Sequence, residues 1–205
     1  MTSSRREFVA TTSDGLHAAG ALPPARPDED GYRLWLRYAP LETVLATPYR
    51  AQLRGIFVDG TSATAAAVRR ELVSGLTSML GVDVPAGGTR LTEGALVVGT
   101  PATSARIRTL GWTDELDRLG PEGFVIRNAR VEGRPALVVA STGDVGAMYG
   151  AFHLLRLVQT ARPLARVDVV ERPKLQLRLL NHWDNLDGTI ERGYAGGSLW
   201  QWADL

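Results

Sequence analysis

The chain has 205 residues, enough for one or two domains of ordinary size. Its 23 basic and 22 acidic side chains leave a formal charge of +1, so no strong field draws nucleic acid or an anionic membrane, and neither is expected as a partner. Cysteine is absent, which excludes a disulfide framework and any thiolate metal site or nucleophile; His17, His153 and His182 show no ligand spacing, and no metal is expected.

The apolar fraction of 44% and charged fraction of 22% suit a soluble globular protein. The opening MTSSRREFVA carries a basic pair without the apolar run of about 7–15 residues that a secretory signal needs. No run approaches the roughly 18 apolar residues of a membrane helix. A cytoplasmic protein is the expectation.

In chain order, residues 21–31 are rich in Pro and Asp and read as a surface loop. Residues 32–38 (YRLWLRY) alternate: Tyr32, Leu34, Leu36 and Tyr38 on one face, Arg33, Trp35 and Arg37 on the other. That predicts a strand, whose second face is a candidate contact with a neighbouring domain. Residues 41–51 form a short helix or loop around Pro48, and 53–59 (LRGIFVD) a second strand.

Residues 61–80 predict a helix capped by Thr61 or Ser62 and ended by Gly81. Val68, Leu72, Leu76 and Leu80 recur every four residues, joined by Ala65, Val73 and Met79, a stripe that must lie on a sheet. Gly75 permits close approach there. Residues 95–99 (ALVVG) are a short apolar run, as in a strand buried on both faces. A short helix is expected over 104–110, packed down by Trp112 and Leu116.

Residues 123–128 and 134–140 predict a hairpin whose connection, 128–133, is too long for a two-residue turn. Residues 141–160 carry a second long helix, with Asp144 as the cap and Val145, Met148, Ala151, Phe152, Leu155 and Val158 at the helical period. Gly146 and Gly150 lie four apart, where the helix can press on strand backbones. His153 beside this face reads as a packed histidine. Neither a dinucleotide fingerprint nor a Walker A string is present, so no nucleotide cofactor is expected.

Residues 167–170 (VDVV) are a linking strand between Pro163 and Pro173. The expectation over residues 1–170 is thus a small two-layer α/β domain with a mixed sheet of about five strands and covering helices. No convergent polar cluster emerges from its sequence.

A second domain is expected from 171 to 205, starting with a strand at 175–180 and cut off after it. The strand runs into Asn181-His182-Trp183-Asp184-Asn185, and a second loop holds Glu191, Arg192 and Tyr194. Polar and aromatic residues at the C-terminal end of a strand are where (β/α)8 barrels build their sites. Trp183 offers a flat face to a sugar ring, Asp184 and Asn185 can hydrogen-bond hydroxyls, and Arg192 can hold a carboxylate in a bidentate pair. Glycoside hydrolysis needs two carboxyl groups flanking the scissile bond. Asp184, Asp187 and Glu191 are all present, and nothing in the segment fixes which of them, if any, does chemistry.

The string RLLNHWDNLDGTIERGYAGGSLW, 178–200, closely resembles the α-glucuronidases of glycoside hydrolase family 67. Upstream, GDVGAMYG at 143–150 is similar to that family's N-terminal domain, and to the small α/β domain preceding the barrel in hexosaminidases. The resemblance implies an inverting enzyme that removes 4-O-methyl-glucuronic acid from xylo-oligosaccharides without cofactor or metal. Bacterial members are typically intracellular and often dimeric, so the resemblance implies an intracellular protein that as a full-length chain can form a homodimer. The implied architecture is a small α/β domain, a (β/α)8 barrel and a helical C-terminal domain. The family's acid and base come from later barrel strands, so no catalytic residue is expected within these 205 residues. Trp183 matches the family tryptophan lining the sugar site, with Asp184, Asn185 and Arg192 in the matching loops. Gly197 stands where many members carry arginine, which puts the bracing of that loop in question. The alternative is a non-catalytic α/β domain used for packing or carbohydrate binding.

Overall fold

The computed structural model describes residues 36–175 and 177–179. Its first helix, α1 (Thr43–Gln52), carries Pro48 inside and leads to β1 (Gly55–Val58). Helix α2 (Ala63–Leu80) follows, then β2 (Ala95–Gly99), the short helices α3 (Ala105–Arg108) and α4 (Thr113–Leu119), and the hairpin β3 (Phe124–Val131) and β4 (Arg134–Ala140). Helix α5 (Asp144–Gln159) and β5 (Asp168–Glu171) complete the series.

These strands form one mixed sheet in the order β1-β2-β4-β3-β5. The first three run parallel, and β3 pairs antiparallel with both β4 and β5. The expected five-stranded mixed sheet with covering helices is what the chain forms.

Strand residues alternate between two apolar layers, as the period of two requires. Ile56, Val58, Leu96, Val98, Leu137 and Val139 meet α2 and α5. Phe57, Val97, Val138 and Val125 meet Ile107 of α3 and Leu116 of α4 on the other face. All five residues of β2 are buried, in keeping with its near-continuous apolar run.

The caps of α2 are those expected. Ser62 Oγ accepts from the Ala65 amide at 3.0 Å, and Gly81 closes the helix in the left-handed region at φ 62°. A Cβ on Gly75 would lie 2.8 Å from Leu155 of α5, so its missing side chain sets the spacing of the two helices. The glycines of α5 act likewise: a Cβ on Gly146 would overlap Ser141 Oγ and lie 2.6 Å from the Gly123 carbonyl, and one on Gly150 would lie 2.5 Å from Val139.

Four expectations are corrected. The 123–140 hairpin turns over two residues, because β3 runs on to Val131 and pairs there with Arg134. Glu132 and Gly133, at φ 50° and 76°, make the tight turn whose twist suits a hairpin. Asp144 does not cap α5; Gly143 occupies that position, and the Asp144 carboxylate instead accepts from the Ser62 hydroxyl at 2.5 Å. One serine thereby ties together the N-terminal ends of α2 and α5. Around Trp112 and Leu116 the chain forms a second short helix, α4, beyond the one expected.

The fourth correction concerns 32–38, of which only Leu36, Arg37 and Tyr38 are described; they form no strand. Tyr38 turns left-handed at φ 48° and buries its ring against Gly75. Its phenol donates to Glu71 at 2.5 Å, and its carbonyl accepts from Ser78. Side chains of α2 thus take up the Tyr38 phenol and carbonyl in place of a ladder.

Candidate functional site

Trp183, Asp184, Asn185 and Arg192 lie outside the described residues, as do Asp187, Glu191 and the loops around them. What the structure describes is the polar edge of the α/β unit and the lead-in toward those loops.

Parallel β1 and β2 end side by side, which brings Asp59 and Thr100 together. Asp59 Oδ2 accepts from the Ser104 hydroxyl at 2.5 Å, and its Oδ1 pairs with Arg106 at 3.1 Å. Arg106 also donates to Glu132 at 2.9 Å and to the Thr89 carbonyl at 2.9 Å. Its guanidinium lies 5.6 Å from the centre of the Phe57 ring. Thr103 bridges Thr100 and the Asp59 carbonyl. This convergent cluster was missed in the sequence. Its signal was a polar residue directly after each of two strands, Val58-Asp59 and Gly99-Thr100.

Chemically the cluster is closed. Both oxygens of Asp59 and all three guanidinium nitrogens of Arg106 are engaged. Ser104, 1% exposed, both donates to Asp59 and caps α3 through the Ile107 amide. Such a network fixes loops; it presents neither a free carboxylate nor an activated hydroxyl.

His153 is packed, as expected. Its ring sits 5.5 Å from Phe124, and burial lowers its pKa below the ordinary histidine value. Glu171 opposes that shift and Arg156 adds to it. Among the described residues no group of three His, Asp or Glu could hold a metal, and no helix is long and apolar enough to cross a membrane. A groove of about 210 Å³ runs between α1 and the turn after α5, past Pro48, Tyr49 and Leu164. It has no charged lining residue to pair with a uronate.

After β5 the chain leaves the sheet. The described part of the expected 175–180 strand, residues 175 and 177–179, makes no ladder with it. Leu175, Leu177 and Leu179 are 67%, 74% and 81% exposed. Arg178 between them is fastened to the α/β unit. It donates to Glu122 Oε2 at 2.5 Å and to the Tyr149 phenol at 3.2 Å, and stacks 5.3 Å from the Tyr149 ring centre.

A mixed α/β unit with a closed polar edge, and a lead-in that carries uncovered leucines away from it, is the class of architecture these residues define. Comparison with known proteins gives it a family. Residues 34–154 match the family model described as the glycosyl hydrolase family 67 N-terminus, and residues 157–205 match that of the family 67 middle domain. The chain belongs to glycosyl hydrolase family 67.

Alpha-glucuronidase A of Aspergillus tubingensis is 31% identical over 172 residues, which are 83% of this chain and 20% of that protein. A probable alpha-glucuronidase A of Neosartorya fischeri is 29% identical over 203 residues, 94% of this chain and 21% of that protein. The chain therefore spans about a fifth of the length of these curated relatives. Among solved structures, a family GH115 4-O-methyl-α-glucuronidase with specificity for decorated arabinogalactans is 25% identical, with a TM-score of 0.39 over 51% of this chain and 13% of that one.

Proposed function

We propose that the chain is the N-terminal part of an inverting α-glucuronidase, which removes glucuronic acid or its 4-O-methyl ether from xylo-oligosaccharides during xylan degradation. The observation that carries this reading is the match to both the N-terminal and the middle-domain models of the family, together with relatives named alpha-glucuronidase along 83–94% of this chain.

In this reading a second domain begins near Glu171. Trp183 stacks on the sugar, Asp184 and Asn185 hold hydroxyls, and Arg192 pairs with the uronate carboxylate. The α/β unit supports the barrel; its closed polar edge and its uncharged groove favour that role over binding an acidic sugar. Inversion calls for an acid and a base about 6.5–9.5 Å apart on opposite sides of the bond, to leave room for the attacking water. The resemblance assigns both to later strands. Glycoside hydrolysis by a carboxyl acid and base of this kind requires neither metal nor cofactor. A cytoplasmic homodimer belongs to the same reading.

Incubating the full-length gene product and the 205-residue chain with aldouronic acids tests it. The full-length protein should release methylglucuronate as the β-anomer, and the 205-residue chain should release none. Release of the α-anomer would overturn inversion, and release by the short chain would overturn the assignment of acid and base to later strands. No release by the full-length protein would overturn the activity itself.

A further inference from the structure

We propose that Arg178 is the joint that seats the middle domain on the α/β unit, with Glu122 and Tyr149 as its socket. The residues after Glu171 have left the sheet, so no ladder sets the direction of the chain there. Side chains must set it, and Arg178 makes the contacts. Its Nη2 reaches Glu122 and the Tyr149 phenol, its Nη1 folds back to the Leu175 carbonyl at 2.6 Å, and its Cζ lies over the Tyr149 ring, 5.3 Å from the centre. A planar guanidinium held at these points has a defined orientation, which a lysine ammonium would not have.

The socket is rigid. Glu122 sits in the turn before β3, and Tyr149 sits on α5. The two are locked together where Gly146 presses on that turn: its amide donates to the Pro121 carbonyl at 3.2 Å, and a Cβ there would overlap the Gly123 carbonyl. Arg178 therefore reads the position of α5 and β3 as one body.

The cover for the other side follows from the leucines. Leu175, Leu177 and Leu179 are large, apolar and left uncovered by the α/β unit, and they fall within residues 157–205, the stretch matched to the middle domain. Three large leucines exposed within five residues form an apolar patch of the kind that marks an interaction surface. A lead-in anchored by one arginine and carrying an uncovered apolar set fits a partner whose core includes those leucines, namely the middle domain. An exposed ion pair adds little to stability, so the joint acts on orientation rather than on the stability of the unit.

The test uses the full-length protein with Glu122→Arg, Arg178→Glu and the two combined. Each single reversal should speed amide exchange across 172–179 by roughly tenfold while exchange in β2 and β4 stays unchanged. The combined swap should restore most of the protection. Singles that match the parent, or a swap that rescues nothing, would overturn the proposal. Should a reversal misfold, Arg178→Gln gives the same exchange reading, and parental protection in that variant would also overturn it. On aldouronic acids the singles should lower kcat/KM, with recovery in the swap. That arm rests on the proposed activity; the exchange arm does not, so a protein without activity would leave the joint testable.

Discussion

Leu76 and Leu177 are the same residue in two regions that treat it oppositely. Leu76 lies on α2 and is fully buried against the sheet, whereas Leu177 in the lead-in is 74% exposed. The α/β unit buries the apolar stripe of α2 on its sheet and pairs its polar edge; the lead-in does neither, apart from Arg178. The difference separates residues that make this unit fold from residues that belong to what it joins. It also makes one substitution, leucine to alanine, a probe of both regions.

The largest expected effect is that of Leu76→Ala. Removing a fully buried leucine forfeits transfer energy and leaves a cavity between α2 and the sheet. Denaturant unfolding of the 205-residue chain should register a loss of about 3–4 kcal/mol. A loss below about 1 kcal/mol would mean that α2 is not packed on the sheet as described.

Gly146→Ala comes next, at about 2–3 kcal/mol, because its Cβ would collide with the Gly123 carbonyl, a backbone group that cannot swing aside. The substitution should also loosen the socket of Arg178, since α5 and the 121–123 turn would be forced apart. A variant as stable as the parent would show that α5 can shift, and the reading of Glu122 and Tyr149 as a rigid socket for the lead-in would weaken.

A smaller effect concerns pH. Burial lowers the pKa of His153, so the fold favours the neutral ring and the unfolded chain binds more protons. The His153 contribution is therefore present above the unfolded value of about 6.5 and is lost as pH falls through the lowered folded value. Between pH 7.5 and 5 the melting temperature should drop more for the parent than for His153→Gln. Equal drops would mean that Glu171, which pulls the other way, cancels the burial.

Much of this contrast was legible in the sequence wherever local pattern and tertiary contact agree. The four-residue recurrence through Leu76, the caps Ser62 and Gly81, and the small pair Gly146 and Gly150 each carry their own reason. Elements whose shape depends on distant partners were not legible. Tyr38 turns left-handed because Glu71 and Ser78 receive it, 33 and 40 residues away. The linking strand expected at 167–170 is present as β5, but its place at the sheet edge beside β3 was not legible; there its Asp168 pairs with Arg127. The same arginine holds Glu115 and stacks on Trp112, which draws α4 onto β3. The Asp59–Arg106 pair spans 47 residues, and the polar residues that follow two strands do not by themselves point to Arg106. The expectations at Trp183, Asp184, Asn185 and Arg192 rest on motif density and family resemblance and fall outside the described residues; a ligand site assembled from several strands cannot be derived from one of them.

The smallest expected effect sharpens the comparison most. In the 205-residue chain, Leu177→Ala removes a side chain that the α/β unit does not cover, so its unfolding free energy should change by no more than about 0.5 kcal/mol. In the full-length protein the same substitution should cost about 2 kcal/mol or more, because a covering domain turns an exposed leucine into a core one. The experiment is one variant in two lengths of chain. A cost that appears only in the longer chain would assign the leucines of the lead-in to the middle domain. An equal and negligible cost in both would mean that they stay in water, and the joint at Arg178 would then hold a linker rather than a packed strand.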